Sequence, residues 1–285
     1  MRVFREPSLR AYSLIRAAPW YRREAFAQGL RAAGYEVFER GPDRARPGDV
    51  LLIWNRYAGN HEIATRFERE GGRVLVAENG YIGAGGTAPK FDVHPAGPKP
   101  GHYYALGLGF HNDHERVIAG GPERFAALGV ELRPWRTQGE HILICPNRSF
   151  GVGEQVMRVD WAERCQNRLR RATGRPVRIR AHPGNDAPRR PISDDLVGAW
   201  AVYVWSSTVA AHALAAGIPT FIEAPHQILR PASATGSPDA PVCPDRLPHL
   251  ERLAWAQWTC EEISRGEPFR YLLPATEQGA VKAGA

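Results

Sequence analysis

Short apolar runs alternate with amphipathic stretches in the first half of the chain, which is the pattern of strands separated by helices in an α/β unit. The continuous apolar run Val50–Trp54 predicts a buried strand. Further strands are predicted at residues 2–4, 35–38, 73–77 and Tyr103–Leu108, and helices at 19–33, 59–70 and 121–128.

The pattern restarts after residues 134–139, which we interpret as a linker between two units. Beyond it, the apolar run His141–Cys145 predicts a strand, and Trp161, Cys165 and Leu169 recur at the spacing of one helix face. Further strands are predicted at 176–181, 200–205 and 218–222, and helices at 160–172, 207–216 and 249–265. The alternation predicts an α/β fold of two Rossmann-like domains facing a cleft, residues 1–137 and residues 138–285, the second with a crossing C-terminal helix.

Two stretches rich in Gly and Pro interrupt this pattern, at residues 83–101 and 224–248. Such a composition does not sustain a helix or a strand, so both are predicted to be long loops. They are candidates for lids over a substrate or for contacts with an acceptor.

With 43% hydrophobic and 24% charged residues, the chain has the composition of a globular protein that buries a core. No stretch approaches the about 20 apolar residues that a membrane-spanning helix needs. Four arginines between residues 2 and 16 interrupt any signal-peptide core, so we expect a cytoplasmic protein with no membrane partner. The four cysteines are far apart in the sequence, which disfavours a zinc ribbon or a redox pair.

The formal net charge is +7, and the excess is concentrated in one segment. Residues 158–190 hold ten Arg against three acidic residues, whereas the rest of the chain is balanced. Because Arg pairs bidentately with phosphate, this segment predicts a polyanion or a phosphate-bearing ligand. A GC-rich genome also favours Arg codons whatever the function, and the composition leaves both explanations open.

The most informative residues follow the predicted strands, because ligands of such sheets bind beyond the carboxyl ends of the strands. Glu78 follows the strand predicted at 73–77, and Asn79 and Gly80 come next. A carboxylate at this edge, beside a glycine that lets the chain turn, is placed to accept a proton from a substrate hydroxyl. The alternative is a turn residue that faces solvent.

A histidine follows the strand predicted at 176–181. His182 precedes Pro183, and Arg178 and Arg180 share its face of the strand because side chains alternate along a strand. An imidazole held in this way is placed to donate a hydrogen bond to a phosphate, with both guanidinium groups beside it. A structural histidine before a proline is the alternative.

Three hydroxyl residues follow the strand predicted at 200–205 and open a helix: Ser206, Ser207 and Thr208. Hydroxyls and free amides at a helix N-terminus form an anion site, because the helix dipole is positive there. The same residues are also ordinary helix caps, and the sequence leaves both interpretations open.

Three further residues are candidate contacts to a donor nucleotide. Arg148 and Gly151 follow the strand at His141–Cys145 in a segment that is placed to wrap a phosphate with backbone amides. Glu223 follows the strand at 218–222 and is a candidate acceptor of hydrogen bonds from ribose hydroxyls. It is equally a candidate for an ordinary loop carboxylate.

A short polar cluster, His111-Asn112-Asp113-His114, follows the strand at Tyr103–Leu108. His111 and Asp113 are secondary candidates for the proton acceptor. The spacing of the two histidines matches no strong zinc pattern, so no metal site is predicted.

The order of the motifs along the chain is more specific than any one of them. Acidic-Asn-Gly, then His-Pro, then Ser-Ser-Thr resembles the GT-B glycosyltransferases of the bacterial sialyltransferase and capsule Kdo-transferase type. Their signatures are an acidic-acidic-Gly motif, a His-Pro motif and a Ser-Ser or Ser-Thr motif. The resemblance implies that Glu78 is the general base, that His182 contacts the donor phosphate, and that Ser206 and Ser207 bind the same nucleotide.

The chain departs from this family at one position. Asn79 stands where the family has a second acidic residue, so only Glu78 can serve as the base there. The choice between a UDP-sugar and a CMP-sugar donor therefore stays open.

The wider chain also resembles a group of small glycosyltransferases encoded by tailed phages, in the stretches AENGYIG, RPWRTQGEHILICP, GIPTFIEAPH and AWAQW. The resemblance implies a hydroxymethylated pyrimidine in phage DNA as an acceptor, reached in the host cytoplasm. The segment 158–190 would then bind duplex DNA by neutralising phosphates, and the base would be flipped or reached through a groove.

We therefore predict an inverting, metal-independent glycosyltransferase of GT-B type that uses a nucleotide-sugar as co-substrate and no other cofactor. The favoured acceptor is the DNA base. The first alternative keeps the enzyme and makes a surface or capsular glycan the acceptor. A non-catalytic nucleotide- or nucleic-acid-binding module is a further alternative, and a sugar-nucleotide epimerase is another because a fold does not fix a function.

Overall fold

The computed structural model describes residues 9–83, 93–94, 97–98, 103–118, 120–182 and 191–273. The strands, in chain order, are β1 (Arg10–Ser13), β2 (Glu36–Phe38), β3 (Val50–Trp54), β4 (Arg73–Asn79), β5 (Val93–His94), β6 (Gly97–Pro98), β7 (Tyr103–Leu108), β8 (His141–Cys145), β9 (Val177–Ile179), β10 (Ala199–Val204), β11 (Thr220–Ile222), β12 (Thr235–Ser237), β13 (Ala240–Val242) and β14 (Gln257–Thr259). The α-helices are α1 (Arg23–Ala32), α2 (Gly59–Arg69), α3 (Glu123–Ala127), α4 (Trp161–Ala172), α5 (Ile192–Leu196), α6 (Val209–Ala215), α7 (Leu247–Ala254), α8 (Cys260–Ser264) and α9 (Glu267–Leu272).

The first lobe is built on a six-stranded sheet of order β14-β7-β4-β3-β1-β2. Strands β1 to β4 are parallel, whereas β7 runs antiparallel to β4 and β14 antiparallel to β7. The middle strands are apolar throughout, because helices cover both faces and leave no solvated side. Val50, Leu52 and Leu75 contact Phe26 and Leu30 of α1 on one face, and Leu51 and Ile53 contact Phe67 of α2 on the other.

The second lobe is built on a four-stranded parallel sheet of order β11-β10-β8-β9. Helix α4 covers one face, where Trp161, Cys165 and Leu169 pack on the sheet at the predicted helical spacing. Helices α5 and α6 cover the other face. Two parallel α/β units of this kind give the GT-B-like α/β fold that the sequence predicted.

Strands β3, β7 and β8 have the bounds that the sequence predicted. Strand β1 was missed, although it lies between β2 and β3 in the sheet. The four residues Arg10–Ser13 include only two apolar side chains, which is too short a pattern to stand out from the sequence. The strand predicted at 2–4 lies outside the described residues.

The C-terminal region is organised differently from the prediction. A single helix over 249–265 is wrong: α7 ends at Ala254, β14 adds an edge strand to the first sheet, and α8 begins at Cys260. The break follows from a capping box, in which the Thr259 hydroxyl accepts from the Glu262 amide at 3.2 Å and the Glu262 carboxylate accepts from the Thr259 amide at 2.7 Å.

Helices α8 and α9 pack on α1 of the first lobe, so the last described helices lie against the first one. Gly29 makes this approach possible, because a Cβ there would lie 1.8 Å from the Ile263 carbonyl oxygen. Trp258 is buried in the same core.

The stretch 224–248 is not an irregular loop. It contains a 3₁₀ turn at Arg230–Ala232 and the β12–β13 hairpin, and Gln227, Ile228 and Leu229 are buried. This packing makes it part of the second lobe rather than a lid. Most of the loop predicted at 83–101 lies outside the described residues. Within its described part, β5 and β6 pair in the antiparallel sense.

The two lobes share one apolar core. Tyr81 and Ile82, which follow β4, pack in the same cluster as Phe125 of α3 and Leu250 of α7. The predicted linker is also held, since the Arg136 guanidinium donates to the carbonyls of Leu196 at 2.9 Å and Ala199 at 2.7 Å. Within the described ranges, no helix has the length and apolar character to cross a membrane.

Candidate active site

The carboxyl ends of the second lobe's strands bring the predicted donor residues to one edge. All four strands are parallel, so the residues that follow them lie side by side in the order of the strands. That order places Glu223 after β11, Ser206 after β10, Asn147 after β8 and His182 after β9. His182 is half-buried, and the Pro183–Asn185 segment after it lies outside the described residues.

Glu78 lies inside β4 rather than after it. The strand extends to Asn79, and the register pairs Glu78 with Ala105 and Asn79 with Tyr104 of β7. The backbone and side-chain amides of Asn79 both donate to Oε1 of Glu78, each at 2.8 Å. The carboxylate is half-buried, and Asn79 orients it instead of repelling it as a second carboxylate would.

The turn after Glu78 depends on close backbone contact. The Gly80 amide donates to the Tyr103 carbonyl at 2.8 Å, and a Cβ at Gly80 would lie 2.6 Å from that oxygen. Only glycine fits there without moving the strand. The predicted role of this glycine in a tight turn is therefore explained by β7, the neighbouring strand.

Gln257 fixes the same turn from the far end of the chain. Its Oε1 accepts from the amides of Tyr81 at 2.8 Å and Ile82 at 3.1 Å, and its Nε2 donates to the Ile82 carbonyl at 2.6 Å. The side chain is 0% exposed. Because buried amides without partners are costly, Gln257 determines the path of the chain directly after Glu78.

A set of hydrogen bonds leads from the turn after Glu78 across to the second lobe. Tyr81, three residues after Glu78, is buried, and its hydroxyl donates to the His111 carbonyl. Burial, reinforced by the charge of Glu78, raises the pKa of the Tyr81 phenol, so it stays a proton donor. The next residue, Asn112, donates from Nδ2 to the Ser206 carbonyl at 3.3 Å.

Asn112 is 6% exposed and has a second cross-lobe bond, because its Oδ1 accepts from the Ile228 amide at 3.2 Å. The backbone amide of Ser206 in turn donates to Oδ1 of Asn147 at 3.5 Å. The loops after β7, β8 and β10 therefore meet at Ser206. The structure thus links the turn that follows the predicted base to the edge that carries the predicted donor contacts.

The predicted helix start is displaced by two residues. Helix α6 begins at Val209 and has seven residues, and the Ser207 hydroxyl accepts from the Val209 amide at 3.3 Å. Ser207 therefore acts as a cap in the described structure, while Thr208 makes no side-chain cap bond. Ser206 keeps its place at the edge of the sheet.

The two predicted strand arginines differ in their surroundings. Arg180 is paired with Asp195 of α5 at 2.5 Å, so its charge is already balanced. Arg178 is exposed and pairs in register with Leu143, two residues before the end of β8. Strand β9 ends at Ile179, so Arg178 lies within it, Arg180 follows it directly, and His182 lies three residues beyond its end.

Glu223 is held by two neighbours. Trp161 donates to its carboxylate at 2.7 Å, and Arg168 forms an ion pair with it. These bonds connect the end of β11 to α4. They also occupy the carboxylate that the sequence assigned to ribose binding, so a ribose would compete with a guanidinium.

The polar cluster after β7 is also engaged. Asp113 forms an ion pair with Arg116 at 3.0 Å and accepts from the Glu115 amide at 3.0 Å. His226 lies beside it, and burial lowers the pKa of that imidazole, with the charge of Asp113 opposing the effect. Among the described residues, no group of three or more His, Cys, Asp or Glu side chains is placed to hold a metal ion.

The Arg-rich segment is largely paired with carboxylates. Of its eight arginines within the described residues, five form ion pairs: Arg158, Arg164, Arg168, Arg175 and Arg180. Their partners are Asp160, Glu223, Asp239 and Asp195. The segment therefore presents less free positive charge than its sequence indicates.

Three residues of this site had no motif to reveal them. Asn112 lies in the polar cluster after β7, whose histidine spacing matches no strong zinc pattern. Gln257 lies in the stretch AWAQW, which contributed only to the resemblance to phage-encoded glycosyltransferases. Tyr57, in the loop after β3, stacks on Phe150 of the second lobe. Their roles come from contacts between distant parts of the chain, which no local spacing encodes.

No protein-family model matches this sequence, and no curated protein sequence matches it either. Among the solved structures that are similar in fold are two from Thermosulfurimonas dismutans KpsC. The beta Kdo 2,7 transferase matches with a TM-score of 0.54 and 12% identity, over 92% of this chain and 99% of its own. The beta Kdo 2,4 transferase matches with a TM-score of 0.52 and 12% identity, over 88% of this chain and 91% of its own. The chain therefore shares the fold of these transferases over most of its length.

Proposed function

We propose that the protein is an inverting glycosyltransferase that moves a sugar from a nucleotide-sugar to a hydroxyl of a glycan acceptor. The observation that carries the proposal is the set of hydrogen bonds between the lobes: the turn that follows Glu78 is linked through Tyr81, His111 and Asn112 to Ser206 at the donor edge. A carboxylate facing a phosphate-binding edge across a crevice is what transfer to a hydroxyl requires.

In this mechanism Glu78 accepts the proton of the acceptor hydroxyl while that oxygen forms a bond to the anomeric carbon. The bond between the anomeric carbon and the phosphate oxygen breaks, and the nucleotide leaves with the electron pair. Ser206, Arg148 and His182 are proposed to contact the departing phosphate, since donors fixed in advance stabilise charge that develops in the transition state. Asn79 holds Glu78 in the orientation that this step needs.

The acceptor is proposed to be a glycan rather than a DNA base. The solved structures of similar fold are named as Kdo transferases, and none of the comparisons supports a DNA base as acceptor. The pairing of five arginines in the Arg-rich segment argues in the same direction, because a DNA-binding surface needs unpaired cations facing phosphates.

The test is a transfer assay with CMP-Kdo, CMP-N-acetylneuraminic acid, UDP-glucose and GDP-mannose against acidic and neutral oligosaccharides and hydroxymethylated duplex DNA. Mass spectrometry detects the adduct. We expect a sugar-sized adduct on an oligosaccharide, unchanged by a metal chelator. An adduct on DNA alone would restore the base as acceptor, and no adduct or donor hydrolysis with any pair would reject the enzyme.

The role of the base is tested with Glu78→Gln, which removes the proton acceptor and keeps the size of the side chain. Turnover should fall by about 100-fold or more, the range of general base catalysis, while nucleotide affinity stays within a few fold. Glu131→Gln is the matched control, because Glu131 is an exposed carboxylate in the segment between α3 and β8. Full turnover in Glu78→Gln would move the base elsewhere, first to Asp113, which Asp113→Asn would then reveal.

A further inference from the structure

The crevice between the lobes is bridged by an aromatic pair that the proposed mechanism does not use. Tyr57 follows β3 of the first lobe, and Phe150 follows β8 of the second. Their rings are stacked with centroids 5.2 Å apart and planes at 5°. Phe150 is 54% exposed although it is a large apolar side chain, and such exposure at a crevice suits a ligand-binding position.

The Tyr57 half of the pair is held rigidly. Arg56 donates to the Glu68 carboxylate at 2.8 Å and to the Gly109 carbonyl at 2.7 Å. Asn60 donates from its side chain to the Trp54 carbonyl at 2.9 Å. Tyr57 therefore projects from a loop that is tied down on both sides.

The same loop contains unfavourable backbone conformations. Asn55 has φ 49°, a left-handed conformation that asparagine tolerates, whereas Ala58 has φ 47° with ψ −135°, a region that residues with a Cβ rarely adopt. Such residues persist where the surrounding structure enforces them, and they cluster at functional sites. The loop is thus built to hold Tyr57 in one direction, toward the second lobe.

The Phe150 half has a freer backbone. None of residues 146–155 is buried, and Phe150 is followed by Gly151 at φ 149° and Gly153 at φ 55°. A Cβ at Gly153 would meet no atom within 4 Å, so the turn has open space around it. Arg148, a predicted donor contact, lies 5.2 Å from the centroid of the same ring. The less constrained loop, which carries Phe150, therefore also carries this predicted donor contact.

We propose that Tyr57 and Phe150 form an aromatic clasp across the crevice, which opens to admit the sugar of the nucleotide-sugar and then holds that sugar ring against Phe150. This inference rests on the proposed function, and it assigns the pair to the sugar rather than to the nucleotide. Ring faces bind apolar surface in preferred stacked geometries, and an exposed ring at the meeting point of two lobes can exchange one stacking partner for another.

The test compares two ligands by calorimetry: a sugar nucleotide from the four used in the transfer assay, and the same nucleotide without its sugar. In Phe150→Ala we expect the affinity for the sugar nucleotide to fall by about 10-fold, the upper range for one aromatic stack. The affinity for the sugar-free nucleotide should stay within about twofold, because the clasp does not touch the nucleotide. Phe150→Tyr, which keeps a ring, should restore binding. Equal losses for both ligands would indicate a structural role and overturn the clasp.

A second variant tests the opening. In the double variant Tyr57→Cys/Phe150→Cys, a short bis-methanethiosulfonate forms a reducible disulfide with each introduced thiol. The reagent thereby links the two loops. Because the variant lacks the Phe150 ring, its affinity before joining should already be about 10-fold lower than that of the wild type. We expect joining to abolish the remaining sugar-nucleotide binding and reduction to restore it to that level, whereas each single variant keeps the affinity that it had before the same treatment. Equal binding before and after reduction would overturn the clasp while leaving the proposed function intact. A wild-type protein that binds none of the four sugar nucleotides would reject the proposed function, and the clasp with it.

Discussion

Asn112, which lies on the loop leaving the first lobe's sheet, donates to the carbonyl of Ser206 at the edge of the second lobe's sheet, over 3.3 Å. The same side chain accepts from the amide of Ile228. One buried amide therefore fixes the relative position of the two edges that carry the predicted base and the predicted donor contacts. Its importance rests on burial, since an exposed amide would exchange these partners for water.

Asn112→Ala should lower both stability and transfer. Removing the side chain leaves the Ser206 carbonyl and the Ile228 amide without their partner, which costs about 1–3 kcal/mol for a buried group. Urea unfolding and the transfer rate measure the two effects. Glu115→Gln, on the same loop and exposed, is the control and should change neither. An Asn112→Ala protein with wild-type turnover would show that the edges are aligned by other contacts.

Gln257→Leu should displace Glu78 without touching it. The substitution introduces an apolar side chain of similar size and leaves the amides of Tyr81 and Ile82 unpaired, so the free energy of unfolding should fall by about 2 kcal/mol or more. Turnover should fall in protein that circular dichroism shows to be folded. Gln166→Leu is the comparison, because it removes one bond, to the Val177 carbonyl, in the other lobe. That variant should lose some stability and keep its turnover.

Stability should decrease as the pH falls from about 7.5 to about 5.5, the range in which imidazoles titrate. His141 is 2% exposed, and burial lowers its pKa, with the nearby charge of Arg178 acting in the same direction and Asp195 and Glu140 opposing it. The folded state therefore favours the neutral imidazole. Its stabilising contribution is complete above the unfolded pKa of about 6.5 and is lost as the pH falls through that value toward the lower folded pKa.

Burial also lowers the pKa of His226 and His249, so the wild-type loss combines several imidazoles. His141→Gln should make the unfolding free energy depend less on pH over the same range. Urea titrations at several pH values measure the slope. A slope that is equally steep in the variant would assign the whole effect to the other histidines.

Duplex DNA should bind weakly and with a shallow dependence on salt. The logarithm of the binding constant falls with the logarithm of salt concentration in proportion to the phosphates neutralised, and most described arginines of the segment 158–190 are already paired. Fluorescence anisotropy at about 50 and about 200 mM salt gives the slope, where a loss of about 1000-fold or more would mean several phosphate contacts. Such a loss would favour a nucleic-acid acceptor again.

The sequence alone was sufficient for the fold class and for most elements. Buried strands such as Val50–Trp54 and His141–Cys145 are continuous apolar runs, and α4 shows one apolar face, so their identity is local information. The placement of Glu78, His182 and Ser206 near the carboxyl ends of strands was also predictable, because each lies within a recognisable strand or a few residues after one. These residues by themselves were enough to suggest the chemistry of the site.

Tertiary structure decided the rest, because the remaining features depend on residues that are distant in sequence. Gln257 meets Tyr81 only because β14 crosses back to the first sheet. The start of α8 is set by the Thr259 and Glu262 capping box, within a region whose sequence pattern predicts one helix. In the fold, Asp195 and Arg168 neutralise Arg180 and Glu223, whose sequence neighbours give no sign of these partners. Local sequence patterns specify which faces of the elements are apolar. The packing of the whole chain decides which charges form ion pairs and which backbone amides receive a side-chain hydrogen bond.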